Sequence, residues 1–117
     1  MVSRKEKFGA FIRREREAKE IGLREMAKKI GVSPTYLSKV ERDEFSPPTE
    51  DRVKAIAKII GQDADDLLGM AGRVASDLTD IIRERPRVMA DFLRATKGLP
   101  VEDMVRLARL AQKAKNG

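Results

Sequence analysis

Leu23-Arg-Glu-Met-Ala-Lys-Lys-Ile-Gly-Val-Ser-Pro-Thr-Tyr-Leu-Ser-Lys-Val-Glu-Arg42 reads as two short helices joined by a tight turn. Met26, Ala27 and Ile30 recur at helical intervals on one face, and Leu37 and Val40 continue the pattern beyond the turn, so the two helices share one small core. Gly31 supplies the backbone position that can take positive φ without a Cβ clash, as a turn of three or four residues between steeply crossed helices requires. Ser33 is placed to cap the second helix, and Pro34 at its first position gives up no useful donor. Ala27 is small where the helices must approach closely.

The second helix leaves Pro34, Thr35, Tyr36, Ser38, Lys39 and Arg42 facing outward. That face is mostly polar and net positive, and a helix of this width fits the DNA major groove. The pattern Leu-x-x-Met-Ala-x-x-x-Gly-Val-Ser-x-x-Tyr-Leu-Ser-x-Val-Glu-Arg resembles the phage-repressor and Cro-like regulators of the Xre family, over about residues 5 to 69.

The resemblance implies a DNA-binding transcriptional regulator, a repressor, acting as a homodimer on a two-fold operator with the helix Ser33 to Arg42 in the major groove. Carried over residue by residue, it makes Ser33, Pro34, Thr35 and Lys39 the contacts to base edges. Tyr36, Ser38 and Arg42 would reach bases or neighbouring phosphates. Leu23 and Arg24, and the segment Ser46 to Thr49 with Ser46 and Thr49 at its ends, would clamp phosphates at helix N-termini. Lys39 can donate to guanine O6 and N7, and the Thr35 methyl can pack on thymine. The resemblance also places Arg16 and Glu41 as a structural pair between the first helix and the end of the recognition helix. Two departures stand out. Gly22-Leu23 replaces the polar opening common in the family, removing a polar phosphate contact. Asp43 replaces the usual Gly after Glu-Arg, at a position where Asp tolerates left-handed backbone better than most residues.

Elsewhere, Phe8, Phe11 and Ile12 mark an amphipathic helix from about Lys5 to Lys19. Pro47-Pro48 forces an extended segment. Thr49 is expected to cap a fourth helix carrying Val53, Ile56, Ala57 and Ile60, with Gly61 ending it. Asp63 caps a short fifth helix with Leu67 and Leu68, and Gly69 to Gly72 reads as its end and a linker. Capping also accounts for the acidic cluster Asp63, Asp65 and Asp66, which lacks the Gly and distal Glu of a divalent-metal loop. Beyond it, Leu78, Ile81 and Ile82, then Pro86 with Val88, Met89, Phe92 and Leu93, then Gly98-Leu99-Pro100 with Val101, Met104, Val105, Ala108 and Ala111, give three more helices. The expected protein is all-α: a five-helix repressor-like bundle over residues 1–70, followed by a C-terminal helical segment over residues 71–117.

Leu107 and Leu110 widen the last apolar face beyond one stripe. Two readings of this segment stand. It is a dimerisation element using Phe92, Leu93, Met104, Leu107 and Leu110, or it folds back and enlarges the first core. A C-terminal face that holds a partner protein, as in an antitoxin that represses its own operon, has the same motif. A helical protein-interaction adaptor with no DNA role is a further alternative.

Composition bounds these readings. The 117 residues are 41% apolar, with five aromatic residues and no Trp, enough for a modest aliphatic core. The absence of Cys and His removes disulfides, thiolate or imidazole metal sites, a Cys nucleophile and a His base. No spacing assembles carboxylates, Lys and Tyr around a reaction, so an enzyme is not expected, and no cofactor is implied. No apolar run reaches the roughly 18 to 20 residues of a membrane span, and Met1 to Ala10 lacks the apolar middle of a secretion signal, so a cytoplasmic location is expected. The net charge of +6 suits a polyanion but suits solubility equally. Its distribution says more. Residues 1 to 48 carry twelve basic and eight acidic side chains, and residues 49 to 70 carry three and five.

Overall fold

The computed structural model describes residues 6–117. The expected start of the first helix at Lys5 lies outside them. Eight helices follow in order: α1 Phe8–Ala18, α2 Leu23–Ile30, α3 Pro34–Glu41, α4 Glu50–Ile60, α5 Ala64–Met70, α6 Ser76–Glu84, α7 Pro86–Thr96 and α8 Val101–Asn116. There is no strand among the described residues, and none of their helices is long and apolar enough to cross a membrane. The chain is all-α. It divides into two compact units, Met1–Ser76 and Asp77–Gly117.

In the first unit, α1 packs on α3 and α4, α2 on α3 and α4, and α4 on α5. The apolar stripes read from the sequence meet in one core, where Phe11, Ile12, Met26, Leu37, Val53, Ile56, Ile60, Leu67 and Leu68 are essentially inaccessible. Burying a side chain of this size stabilises by about 1.5–3 kcal/mol. The turns follow their expected chemistry at most positions. Gly31 and Gly61 stand in left-handed backbone at φ 75° and 71° after α2 and α4. The Ser33 hydroxyl accepts from the Tyr36 N–H at 3.1 Å with Pro34 opening α3. Asp63 accepts from the Asp66 N–H at 3.0 Å.

Two local expectations change. Thr49 holds the N-cap position of α4, but its hydroxyl makes no capping bond, and the helix dipole is met instead by Glu50 and Asp51 in the first turn. Gly69 lies inside α5. The helical pattern continues past it through Ala71 N–H to the Leu67 carbonyl, and the left-handed residue comes at Gly72, φ 70°. From there the chain is strapped back onto the same unit. Arg73 donates to the Pro47 carbonyl at 2.8 Å, Ala75 is buried, and the Ser76 N–H donates to the Glu50 carboxylate at 3.1 Å. The Lys54 ammonium at 2.8 Å, and after it the Ser76 N–H, hold the Glu50 carboxyl below its ordinary pKa.

α1 illustrates how distant residues complete a helix. Lys7 stands at its N-cap without a capping side chain. The donors of its first turn are taken by Asp43, whose two carboxylate oxygens accept from the Gly9 N–H at 2.8 Å and the Ala10 N–H at 3.2 Å. A charged acceptor here satisfies two orphan donors and opposes the dipole. Asp43 itself has φ 59°.

The second unit is built differently. Pro86 opens α7 and Pro100 stands at the N-cap of α8. None of α6, α7 or α8 contains a buried residue.

Candidate nucleic-acid interface

The recognition surface is built on the second helix of the turn motif, and its rigidity starts beneath the surface. Arg16 of α1 and Glu41 at the end of α3 are both buried. Arg16 donates through Nε at 2.8 Å and Nη2 at 2.9 Å to the two carboxylate oxygens, and through Nη1 to the Ile21 carbonyl at 2.8 Å. This is a bidentate fork of the strong, directional kind. The hydrogen bond to Glu41 holds the guanidinium pKa above its already high ordinary value, so the charge persists throughout the working pH range. The pair fixes the roll of α3 against α1 and hence which α3 side chains face out.

Facing out are Thr35 and Arg42, both exposed, with Pro34, Tyr36, Ser38 and Lys39 half-buried. Leu23, Arg24, Pro34, Thr35, Ser38 and Arg42 line one shallow depression between the start of α2 and the outer face of α3. Six of the residues singled out from the sequence therefore meet on one surface. Ser33, exposed, stands at the head of α3, where its hydroxyl is engaged with the Tyr36 N–H. Lys39 lies further along α3, its ammonium 5.2 Å from the centre of the Phe45 ring. Ser46 and Thr49 are exposed but belong to the segment leading into α4, whose first turn carries Glu50 and Asp51. Those carboxylates weaken the attraction of that helix end for a phosphate.

The start of α2 differs. Gly22 stands at its N-cap with no side-chain cap, which leaves first-turn N–H groups directed outward beside the exposed Arg24, a suitable arrangement for an anion. Glu25 in the same turn is drawn to Lys29 at 3.1 Å. Arg42 pairs through Nε with Glu44 at 2.9 Å, with both side chains about half exposed. A solvated pair of this type contributes little, so a phosphate can displace Glu44 at small cost.

Sequence reasoning missed three contributors and the anchoring role of a fourth, Asp43. Arg13 of α1 borders a second depression together with Ser38 and Arg42, adding a cation beside α3. Only a basic residue on the wet side of α1 signals it. Arg52 of α4 reaches the Ile30 carbonyl at 3.4 Å and helps close the end of α2. Asp43 ties α3 to α1, and Phe45 sits against Tyr36 and Lys39. The residues expected to dimerise lie in the second unit. Phe92, Leu93, Met104, Leu107 and Leu110 are 37–58% exposed there.

Comparison with known proteins bears on the first unit. Residues 12–67 match the helix-turn-helix family. An uncharacterised HTH-type transcriptional regulator of Mycobacterium tuberculosis is 37% identical over 76 residues, 65% of this chain and 54% of that protein. The ImmF control region 10 kDa protein of Bacillus phage phi105 is 40% identical over 57 residues, 49% of this chain and 62% of that protein. The chain thus spans about half to two thirds of the length of these relatives. Among solved structures, the N-terminal DNA binding domain of SinR from Bacillus subtilis superposes with a TM-score of 0.47 at 30% identity, covering 52% of this chain and 88% of that one. Over residues 12–67, the chain is thus similar to the helix-turn-helix family, and it resembles regulators of the phage-repressor, or Xre, type there.

Proposed function

We propose that this protein is a sequence-specific DNA-binding transcriptional regulator, a repressor that occupies a two-fold operator as a homodimer. The observation that carries the proposal is the surface formed by α3 and the start of α2. Thr35, Ser38 and Arg42 lie beside Arg24 and an N-terminus without a side-chain cap, on a helix rolled into place by the buried Arg16–Glu41 fork. α3 enters the major groove. Lys39 and Thr35 discriminate bases, and Ser33 and Pro34 contact base edges at the head of the helix. Tyr36, Ser38 and Arg42 reach bases or adjacent phosphates, and the N–H groups after Gly22 with Arg24 hold the backbone in register. Ser46 and Thr49 lie on the flanking segment and contribute phosphate contacts opposed by Glu50 and Asp51.

The dimer reading rests on the second unit. Phe92, Leu93, Met104, Leu107 and Leu110 lie open on helices with no buried residue, and apolar surface of that kind is covered in a stable assembly. A second copy supplies the two-fold symmetry that an operator of two half-sites one DNA turn apart demands. The same face also fits a helical partner protein, the arrangement of an antitoxin-type autorepressor.

Selection of bound sequences from a random DNA pool, with Lys39→Ala in parallel, tests the proposal. The expected result is an enriched palindrome that the variant no longer selects. Lys39→Ala is expected to cost about 1–3 kcal/mol on the operator and little on random DNA. If a dimer neutralises about six to ten phosphates, operator affinity falls by about 10³ to 10⁵ between 50 and 200 mM salt. No enrichment at low salt refutes the DNA reading. Sedimentation of Leu107→Glu with Leu110→Glu tests the dimer. A monomer is expected, and a wild-type chain that is already monomeric transfers that face to a different protein partner.

A further inference from the structure

Phe45 has no structural employment in the core. It is 45% exposed, stands in the polar run Asp43-Glu44-Phe45-Ser46, and is absent from the apolar residues packed against the core, whereas its neighbour Tyr36 is among them. Its position is nevertheless closely determined. α3 ends in a Schellman arrangement, with the Asp43 N–H donating to the Val40 carbonyl at 3.0 Å and the Glu44 N–H to the Lys39 carbonyl at 2.9 Å. The left-handed residue of that motif is Asp43, φ 59°, whose carboxylate is anchored on the start of α1. The reversal folds Phe45 back along α3. Its ring centre lies 5.8 Å from that of Tyr36, tilted by 45°, and 5.2 Å from the Lys39 ammonium. Aromatic and cation–π contacts of these geometries are favourable. The result is an apolar ring, held on two sides and open on the rest, beside the lysine proposed to read a base.

We infer that Phe45 is a specificity-determining residue that takes the 5-methyl group of a thymine next to the base read by Lys39. The inference rests on the DNA-binding reading. Its chemistry is that of the major groove, where the thymine methyl is the one apolar handle on a base edge and is met by apolar side chains including Phe. A separation of 5.2 Å between ring and ammonium spans about one to two base steps at a rise of roughly 3.4 Å. The thymine therefore lies within two steps of the guanine that Lys39 contacts. A ring already pinned by Tyr36 and Lys39 loses little freedom on contact, so burial of the methyl appears in affinity almost undiminished.

The test uses the full chain and the operator it selects from a random pool, with each thymine replaced in turn by deoxyuridine, which removes only the methyl. At one position per half-site, wild type is expected to lose affinity by about fourfold, the worth of one buried methyl-sized group. Phe45→Ala is expected to show no loss at that position, and Phe45→Leu, which keeps an apolar end, is expected to retain most of it. An equal uracil penalty in wild type and Phe45→Ala overturns the assignment, as does the absence of any penalty in wild type. A wild-type chain that selects no sequence overturns this inference and the DNA reading together, whereas a selected operator without a Phe45-dependent methyl effect overturns this inference alone.

Discussion

Replacing Glu41 by Leu removes the acceptor of two hydrogen bonds from Arg16 and leaves the guanidinium with the Ile21 carbonyl as its remaining partner in this arrangement. Arg16 is 8% exposed, so water does not readily substitute. Its pKa is held above the ordinary arginine value while Glu41 is present, and even without that support no accessible pH neutralises it. The penalty therefore falls on folding. Breaking one side of a buried pair costs about 3–5 kcal/mol. A unit of the size of Met1–Ser76 has a total stability of about 4–11 kcal/mol, so the single variant forfeits about a quarter of it or more. At about 4–8 °C per kcal/mol for a domain this small, the melting temperature drops by at least about 12 °C. Arg16→Met strands the Glu41 carboxylate, 4% exposed, with a similar loss. Combining the two substitutions removes both charges together and is expected to recover most of the stability, because an apolar pair of similar volume replaces the ion pair at little net cost. Urea unfolding followed by circular dichroism measures all three variants. A Glu41→Leu loss below about 1 kcal/mol refutes the reasoning, as does a double variant no more stable than the worse single one.

Other substitutions isolate separate parts of the fold. Gly9→Ala places a Cβ against the Val40 and Glu41 carbonyl oxygens and the Asp43 carboxylate. Because two of these are backbone atoms, a loss of about 1–3 kcal/mol is expected by urea denaturation. Gly69→Ala, inside α5 with nothing within 4 Å of the new Cβ, is expected to stabilise by about 0.5–1 kcal/mol in the same assay. Asp43→Ala removes the acceptor of the Gly9 and Ala10 N–H groups while keeping a Cβ in left-handed backbone, for an expected loss of about 1–2 kcal/mol. Asp43→Asn, which still accepts and tolerates that backbone, is expected to lose less. Glu50 has its pKa lowered from 4.5 by Lys54 and by the Ser76 N–H, so its contribution is present above its unfolded pKa and disappears as pH falls through the lower folded value. Glu50→Gln is expected to lower the melting temperature at neutral pH and to flatten the acid side of the profile, so that the variant and wild type converge as pH falls below about 4.5.

How far these features can be read from the sequence depends on how far apart the cooperating residues are. The helices of the first unit announce themselves because apolar side chains three and four residues apart share a face. Gly31, Ser33, Pro34 and Asp63 act within one turn of where they stand, and they appear where their local chemistry demands. Local rules also mark where competition enters. Thr49 has the right identity and position for a cap, yet Glu50 and Asp51 meet the dipole and its hydroxyl makes no capping bond. The Arg16–Glu41 pair spans 25 residues, and no periodicity connects its partners. Only the family resemblance proposed it. The Asp43 anchor spans 34 residues and has no such guide, since the resemblance expects glycine there and marks aspartate only as a residue that tolerates left-handed backbone. The structure shows why aspartate suits this chain. Lys7 provides no side-chain cap for α1, and a carboxylate at position 43 supplies it from the end of the recognition helix. A left-handed residue without a side chain would ease the turn but leave the Gly9 and Ala10 donors unserved. The same residue that costs conformational energy in the turn thus secures α3 to α1 and sets the direction from which Phe45 returns over Lys39. Strain in the turn and order in the candidate reading surface therefore have one physical origin. Substituting Asp43 is accordingly expected to alter base preference through Phe45 and Lys39 as well as stability.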